Sequence, residues 1–382
     1  MPATAHLPLG RHVLWGGRGE PDSALSVLDA GCGTGDATIF IAEQLRGTGA
    51  RVVALDISTA SLDIARARAA VRSLDGITFV QSQIEDIAAL GLGQFDFVFS
   101  SGVLHHLPSP GEGLAALAGA VKPGGGLAIM VYGAYGRQHV YQVQRLLRLL
   151  APPEFSHDTR LTIARRLLDR LRPSHWAALG RESWSAEVTR HGEAGLYDLF
   201  LHAQDRAFTV PEIHRWLEGA GLRLHRWHLP ALYDPETYAP GAAGEHLSAE
   251  EREEAAELLH GRMATHAFFA VPVDRHVVEI AADDPAAIPT WLLTNAHDLV
   301  DRQLSDGREL HISHNEEAQR RILLDPFTRA VLRRIDDVTP LGTIMAEVQA
   351  RLNGSSTDQL WERWRQLYRE VERFNLIGLA AA

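Results

Sequence analysis

The fold of this chain is decided by the stretch Ser26-Val27-Leu28-Asp29-Ala30-Gly31-Cys32-Gly33-Thr34-Gly35-Asp36. A short apolar segment, residues 26–30, runs into three glycines at alternating positions, and residues 37–45 follow with apolar side chains at helical spacing. This pattern predicts a strand, a tight turn and a helix. Gly31, Gly33 and Gly35 can adopt positive φ and let a ligand approach the backbone closely, which a Cβ atom would prevent. The turn is therefore predicted to bind a nucleotide-like ligand.

Two carboxylates flank these glycines. Asp29 lies two residues before the first glycine, and Asp36 directly follows the last. A dinucleotide site places a pyrophosphate at the helix N-terminus, where these carboxylates would repel it. A ligand that carries positive charge suits the turn better, and a NAD or FAD site is the less favoured interpretation.

Further apolar stretches follow in an order typical of a parallel sheet. They are residues 51–55, 77–81, 95–100 and 127–132. The first of them ends in Asp56, 25 residues after Gly31, where a Rossmann-like unit places an acid for the ribose hydroxyls. Residues 222–227 and 265–271 are read as two late strands.

Three motifs carry a resemblance to a known family. Residues 29–35 have the spacing D-x-G-x-G-x-G, residues 103–107 read Val-Leu-His-His-Leu, and residues 122–125 read Lys-Pro-Gly-Gly. Together they resemble the class I S-adenosylmethionine (SAM)-dependent methyltransferases, in particular small-molecule enzymes of the quinone-biosynthesis type. The resemblance covers about residues 25–273. It implies an α/β fold with a Rossmann-like, seven-stranded sheet, and SAM as the cofactor.

The resemblance also implies which residues bind the cofactor. Asp56 would bind the ribose and Ile57 would flank the adenine. Gln83 and the backbone of Ile84 would bind the adenine edge. For residues 105–106, both histidines, a role in lining the methionine end of the cofactor is favoured over acid–base catalysis. The complete predicted set is Asp29, Gly31, Cys32, Gly33, Gly35, Asp56, Ile57, Gln83, Ile84 and Ser101.

A general base, needed where the acceptor must lose a proton, is sought in residues 196–206. Tyr197, His202 and Asp205 place donors and acceptors among apolar side chains there and are the predicted catalytic residues. On a helix, Asp198 and His202 would share one face, so that the carboxylate could raise the basicity of the imidazole. A plain surface ion pair explains the same spacing.

Length and composition predict two domains. The chain has 382 residues, of which 46% are hydrophobic, enough for one large core and a second, smaller one. Residues 1–24 are read as a short, irregular segment, residues 25–273 as the SAM-binding domain and residues 274–382 as a C-terminal module. A hairpin turn at residues 305–308, three helices and a strand at residues 376–379 make this module look like a winged helix. Its balanced charges favour protein contact, homodimerisation or a cap over the active site rather than DNA reading.

Residues 133–208 are predicted to be a helical insertion that caps the cofactor, because the N-terminal segment is too short to do so. Between Arg137 and Arg172 the insertion has eight arginines and three acidic residues. In an otherwise acidic protein, this excess of positive charge either attracts an anionic acceptor or reflects ordinary helices with solvated arginine faces.

Charge and cysteine content exclude several classes of protein. The formal net charge of −11 has the wrong sign for general affinity to nucleic acid. The single cysteine, Cys32, excludes an intramolecular disulfide and a zinc site built from several thiolates. His311 and His314 are spaced like a metal pair but have no evident acidic partner, so no metal is expected. The absence of a signal sequence and of the ~18 apolar residues of a membrane span predicts a cytoplasmic protein.

The leading hypothesis is a SAM-dependent methyltransferase that methylates an O, N or C atom of a small metabolite. The alternatives are a methyltransferase that acts on a protein or an RNA, and a SAM-binding regulator without turnover. A NAD-dependent oxidoreductase is the alternative from a different class. A binding comparison of SAM-type ligands with NAD distinguishes an oxidoreductase from the other three hypotheses. Residues on the acceptor side would distinguish those three from one another.

Overall fold

The structure is a computed structural model of the 382-residue chain. It describes residues 7–18, 24–202, 204–241, 244, 246–292, 302–305, 307–314, 318–352 and 356–382. Within these ranges, no helix has the length and apolar character needed to cross a membrane.

A seven-stranded mixed sheet forms the centre of the molecule. In chain order its strands are β1 (Ser26–Ala30), β2 (Arg51–Asp56), β3 (Ile77–Gln81), β4 (Phe95–Ser101), β5 (Val121–Tyr132), β6 (Leu222–Trp227) and β7 (Thr265–Pro272). Their order across the sheet is β3-β2-β1-β4-β5-β7-β6. Strands β1 to β5 pair in parallel, and β7 runs antiparallel to β5 and β6. The Rossmann-like, seven-stranded α/β fold predicted from the sequence is therefore confirmed.

Helices cover both faces of this sheet. In chain order the helices include α1 (Leu7–Trp15), α2 (Asp36–Gln44), α3 (Thr59–Val71), α4 (Pro110–Gly119), α5 (Ala134–Leu150), α6 (His157–Asp169), α7 (Trp176–Leu179), α8 (Arg181–Leu201), α9 (Val210–Gly219), α10 (Ala249–His260), α11 (Pro326–Leu332), α12 (Leu341–Arg351) and α13 (Thr357–Glu372). Val27 of β1 packs into a core with α1 and α2, whereas its neighbour Leu28 packs into a second core with α4 and α9. Burial on both faces explains why the central strands β1, β2 and β4 are mostly apolar.

The irregular conformation expected for residues 1–24 is wrong for the part that the structure describes, because α1 lies there. Leu9 and Val13, one helical turn apart, are buried on the α2 side of the sheet. Pro8 and Gly10 interrupt the apolar pattern and have low helix propensity, so the pattern alone does not reveal the helix. Packing against the sheet stabilises it.

The predicted helical insertion, residues 133–208, contains α5 to α8. These helices form a core of their own, which includes Val140, Leu161, Leu168, Trp184 and Phe200. Helix α8 is kinked at Gly192, which has a φ of 58°. The two ends of the insertion meet beside the sheet, where the N–H of Ala134 donates to the carbonyl of Phe208 at 2.9 Å. The insertion therefore leaves and rejoins the sheet at the carboxyl end of β5.

The described residues after position 273 include two small antiparallel sheets and three helices. Strand β8 (Ile288–Trp291) pairs with β11 (Ile377–Ala380), and β9 (Glu309–His314) pairs with β10 (Ala318–Leu323). Together with α11, α12 and α13 they surround a separate core that contains Trp364. The sequence predicts helices near residues 326–335, 341–352 and 358–374 and a strand at residues 376–379, close to where the structure has them. The winged-helix character of the segment stays a prediction.

The hairpin turn expected at residues 305–308 is wrong, because residues 302–305 are helical. The N–H of Gly307 donates to the carbonyl of Gln303 at 2.9 Å, as at the end of a helix. The guanidinium of Arg329 donates to two neighbouring carbonyls and holds this helix end in place. The connection between β9 and β10 lies further along the chain, outside the described residues. The second residue of the predicted turn also lies outside them.

Candidate active site

The glycine-rich turn connects the end of β1 to α2. Gly31, Gly33 and Gly35 all have positive φ, at 80°, 52° and 88°. The N–H groups of Gly31 and Cys32 donate to the carbonyl of Leu55 at 2.7 and 2.9 Å. These bonds attach the turn to the end of β2, so the two strand ends form one rigid edge.

Packing explains why glycine is needed in this turn. A Cβ atom on Gly31 would lie 2.4 Å from the side chain of Val103, and one on Gly35 would lie 2.8 Å from Ala65. A Cβ atom on Gly33 would meet no atom within 4 Å. The turn is therefore packed against the protein on two sides and open at Gly33, where a ligand has room to approach the backbone.

The carboxylate of Asp56 organises the turn from the end of β2. Its Oδ2 accepts a hydrogen bond from the N–H of Gly33, and its Oδ1 accepts one from the N–H of Ser58, both at 2.8 Å. Because an ionised carboxylate can accept about four hydrogen bonds, two acceptor positions remain for a ligand. Asp56 therefore has a structural role that the sequence does not reveal, beside the ribose contact predicted for it.

The two acids that flank the glycines differ in environment. Asp29 is 1% exposed and accepts a hydrogen bond from the hydroxyl of Thr38. Burial raises the pKa of Asp29 to about 7. Asp36 is paired with Arg68, which also donates to the carbonyl of Thr34 at 2.8 Å. Asp36 is therefore compensated by its own partner, and Asp29, where ionised, and Asp56 are the carboxylates that would repel an anionic ligand.

A cavity of about 420 Å³ lies at the carboxyl ends of β1, β2 and β4, within the size range of ligand pockets. Of the predicted cofactor residues, six line it: Asp29, Gly31, Cys32, Gly33, Asp56 and Ser101. Six further residues line it that the sequence analysis did not assign to the cofactor: Thr34, Asp36, Ala37, Phe99, Gly102 and Val103. Only their positions in the sequence, within the turn, within α2 or near the carboxyl end of β4, could have indicated that these residues line the cavity.

Four predicted cofactor residues do not line this cavity. Gly35 packs against α3, and Ile57 is 66% exposed beside the cavity residue Asp56. The side chain of Ile84 is 4% exposed in the core, so only its backbone could contact a ligand. Gln83 precedes the short 3-10 helix that Ile84 begins. An adenine site at these positions stays a prediction.

A stack of side chains connects this sheet edge to the insertion. The guanidinium of Arg137 lies 3.4 Å from the ring centroid of Tyr132, and that ring lies 3.7 Å from the ring of His105. The ring of His106 lies 4.2 Å from those of both His105 and His202. The stack continues from the start of α5, past the end of β4, to the end of α8.

Two histidines of the stack, His105 and His106, lie in an environment that disfavours positive charge. His105 is fully buried, and burial, with His106 and Arg137 nearby, lowers its pKa to about 2. Burial and the neighbouring His202 also lower the pKa of His106. Burial therefore favours the neutral form of both rings, and neither histidine lines the cavity at the carboxyl ends of β1, β2 and β4.

Hydrogen bonds to backbone carbonyls hold the end of the insertion against the histidine segment. The N–H of Arg206 donates to the carbonyl of His105 at 2.9 Å. The side-chain Nε2 of Gln204 donates to the carbonyl of Leu107 at 3.5 Å. The end of the insertion is thus fixed beside β4, next to the side chain of Val103 that borders the cavity.

The three predicted catalytic residues have different surroundings. His202 follows the last residue of α8 and stacks on His106. The side chain of Asp205 is fully buried, 3.9 Å from Arg137, and accepts a hydrogen bond from Gln144 at 3.2 Å. Of the three, His202 is the residue that stacks on the histidine segment after β4, and Asp205 compensates a buried arginine.

Tyr197 lies within the insertion. Its hydroxyl accepts a hydrogen bond from Arg160 at 3.0 Å, and its ring stacks on that of His157 at 4.8 Å. These contacts give Tyr197 a packing role in the insertion, and its catalytic role stays a prediction. The histidine pair noted in the sequence lies on β9, where His311 is 3.4 Å from Glu309, and the side chain of His314 is outside the described part of the chain.

Comparisons with known proteins agree with this arrangement. A family model described as a methyltransferase domain matches residues 28–127. A ubiquinone biosynthesis O-methyltransferase from Thiobacillus denitrificans is 31% identical over 172 residues, which cover 44% of this chain and 68% of that protein. An uncharacterised protein from Synechococcus is 36% identical over 218 residues, or 54% of this chain and 51% of that protein. The chain thus spans about half the length of the Synechococcus protein.

The same fold occurs in a solved structure, PKMT2 from Rickettsia typhi. It aligns with a TM-score of 0.69 and 13% identity, and covers 99% of this chain and 75% of that chain. The structure of that protein in complex with AdoHcy aligns with the same TM-score over 100% of this chain and 76% of its own. This likeness shows a shared fold that includes the segment after residue 273. The glycine turn, the strand order and the relationship to the Thiobacillus O-methyltransferase place this chain in the family of class I SAM-dependent methyltransferases.

Proposed function

We propose that this protein transfers a methyl group from SAM to an oxygen, nitrogen or carbon atom of a small molecule. The observation that carries the proposal is the glycine turn, open at Gly33 and held by the carboxylate of Asp56 at the edge of the cavity. The relative from Thiobacillus denitrificans is named for O-methylation in ubiquinone biosynthesis, which supports a small acceptor with a hydroxyl group.

The fit between the cavity and the cofactor rests on shape and charge. When bound, SAM supplies a methyl carbon made electrophilic by a positively charged sulfur. The acids Asp29 and Asp56 line the cavity and would stabilise a cationic ligand. At Gly33 and Ser101 the cofactor would be able to approach the cavity wall closely. The other predicted cofactor residues, Gly35, Ile57, Gln83 and Ile84, would support the turn or the adenine end.

The acceptor would enter between the end of β4 and the insertion. The chain contributes alignment there, worth up to roughly 7–11 kcal/mol in a reaction between two bound partners. The residues on this side would hold the acceptor atom in line with the methyl carbon, so that the new bond could form as the bond to sulfur broke and left its electron pair on sulfur. A proton released by the acceptor passes to solvent or to a side chain. We place His202 on this side because it stacks on His106, three residues after Val103 of the cavity wall.

The proposed function is tested by ligand binding to the full chain. S-adenosylhomocysteine should raise the melting temperature and NAD should not, because a ligand at 100 times its dissociation constant adds about 2.7 kcal/mol of stability. In calorimetry, Asp56→Ala should bind S-adenosylhomocysteine at least about tenfold more weakly, since it loses charge-assisted hydrogen bonds worth ~1.5–3 kcal/mol each.

Asp63→Ala is the matched control for this variant. Asp63 is an acid on the neighbouring helix α3, 66% exposed and paired with Arg66, so its removal should leave the dissociation constant unchanged. A thermal shift with NAD alone would overturn the proposal, and equal affinities of the two variants would remove Asp56 from the site. Transfer of label from methyl-labelled SAM to the small-molecule fraction of an extract, rather than to its protein or RNA, would then identify the acceptor class.

A further inference from the structure

We propose that His106, Asp198 and His202 bind a divalent transition-metal ion of the Zn²⁺ type on the acceptor side of the candidate active site. Each residue offers one donor atom, and the three atoms all lie within 4.8 Å of one another. His106 comes from the segment after β4, and the other two come from the end of the insertion. Their meeting is a product of the tertiary structure, which the sequence analysis did not foresee.

The geometry requires only a small adjustment to enclose an ion. In a tetrahedral site with bonds of about 2.1 Å, donor atoms lie about 3.4 Å apart, so the three donors must approach one another slightly. Asp198 is partly exposed, and rotation of its side chain can close this gap. The two imidazole rings are already in contact, with centroids 4.2 Å apart.

The backbone of Gln204 positions both imidazoles. Nδ1 of His106 lies 3.3 Å from the carbonyl oxygen of Gln204. As a donor in this contact, Nδ1 carries the proton and leaves Nε2 free to coordinate, the arrangement usual for metal-bound histidine. Nδ1 of His202 accepts a hydrogen bond from the N–H of Gln204 at 3.2 Å. Coordination by His202 would exchange this hydrogen bond for a metal bond.

The charges around these three residues favour a cation. Asp198 supplies a negative ligand, and Asp205 adds a second negative charge near His106. Two arginines also lie in this region. Arg137 lies 3.9 Å from Asp205 and is partly compensated by it, and Arg160 donates to the hydroxyl of Tyr197 and to the carbonyl of Leu201. Arg206, at the end of the insertion, pairs with Glu212 at 3.3 Å.

The set of donors defines the class of ion and its use. Two imidazoles and one carboxylate suit Zn²⁺, Co²⁺, Fe²⁺ and similar ions, and leave coordination positions open. An open position beside the cavity would hold and polarise an oxygen atom of the acceptor. Metal binding itself is independent of the proposed function, whereas this use of the metal rests on it.

The test is a titration of the full chain, stripped of metal and without a polyhistidine tag. The wild type should bind one equivalent of Co²⁺ with visible d–d absorption, and Zn²⁺ should displace it. Asp198→Asn and His202→Asn should each bind at least about tenfold more weakly, because each variant lacks one ligand. His276→Asn is the matched control, since His276 is an exposed histidine outside the site, and its affinity should equal that of the wild type.

Binding of S-adenosylhomocysteine by each variant shows that it is folded, because neither Asp198 nor His202 lines the cofactor cavity. No saturable Co²⁺ binding by the wild type, or equal affinity of the wild type and both site variants, overturns the metal site. Failure of the wild type to bind S-adenosylhomocysteine refutes the proposed function instead and leaves the metal result standing.

Discussion

Folding buries the carboxyl group of Asp29, and this burial disfavours its ionised form. It is 1% exposed, and burial together with the nearby Asp56 raises its pKa from 3.8 to about 7. Because the folded protein then holds the proton more tightly than the unfolded chain, the contribution of Asp29 to the free energy of unfolding falls as the pH rises from about 4 to about 7. A cationic ligand in the cavity favours the ionised carboxylate and would offset this cost.

The affinity for S-adenosylhomocysteine should therefore rise with pH around neutrality. Between pH 6 and pH 8, Asp29 changes from mostly protonated to mostly ionised, and the ammonium group of the ligand gains up to roughly tenfold in affinity. Calorimetry at pH 6, 7 and 8 measures this slope. Asp29→Asn keeps an oxygen for the hydroxyl of Thr38 but cannot ionise, so its slope should be flat. A flat slope in the wild type would contradict the assignment of Asp29.

At the scale of elements, the insertion depends on how α5 begins. Gly136 lies in the first turn of α5, and its N–H donates to the carbonyl of Met263 at 2.9 Å. A Cβ atom at Gly136 would lie 2.4 Å from the backbone atoms of Met263 and Ala264, just before β7. Glycine at this position lets the helix pack directly on backbone, which fixes the direction in which the insertion leaves the sheet.

Gly136→Ala should destabilise the protein by about 1–3 kcal/mol, because backbone atoms cannot move aside as a flexible side chain can. Gly119→Ala is the matched control: Gly119 ends α4, and a Cβ atom there meets nothing within 4 Å. The control should be neutral or more stable by up to ~1 kcal/mol. Urea unfolding of both variants measures the difference, and equal free energies of unfolding would show that the insertion is not held at this contact.

At the scale of the whole molecule, a partly buried ion pair joins the sheet to the C-terminal segment. Arg226 of β6 pairs with Glu372 at the end of α13, and the two side chains are only 16% and 22% exposed. Arg226 also donates to the side chain of Asn375 at 3.0 Å, and Asn375 donates to the carbonyl of His228. The edge strand β6 is thus covered by the C-terminal segment through polar contacts that need both partners.

Arg226→Ala should cost about 3–5 kcal/mol, because it leaves the carboxylate of Glu372 without its partner in a partly buried position. Replacing both residues by methionine should restore part of this loss, since no unpaired charge remains. Arg66→Ala, which breaks an exposed pair with Asp63, serves as the control and should cost less than about 1 kcal/mol. Hydrogen exchange in α13 would show whether the segment loosens, and a cost no larger than that of Arg66→Ala would contradict the proposed role.

The sequence predicts the sheet well because each of its strands carries a local signal. The apolar runs that end at Asp56 and Ser100, and the glycine turn at residues 31–35, follow from side-chain pattern and backbone freedom, which act over a few residues. The local pattern does not reveal helix α1 or the helical residues 302–305. Tertiary contacts, with the sheet in one case and with Arg329 in the other, override a weak or misleading local pattern.

For this protein, the sequence by itself determined the glycine turn, the acids beside it and hence the family and its cofactor. Only the tertiary structure decided what lies opposite the cofactor cavity. It brings His202 and Asp198 to His106, places Tyr197 within the insertion and buries Asp205 beside an arginine. The physical reason is distance along the chain: cofactor motifs are built within one strand–turn–helix unit, whereas the acceptor side forms where an insertion folds back onto the sheet.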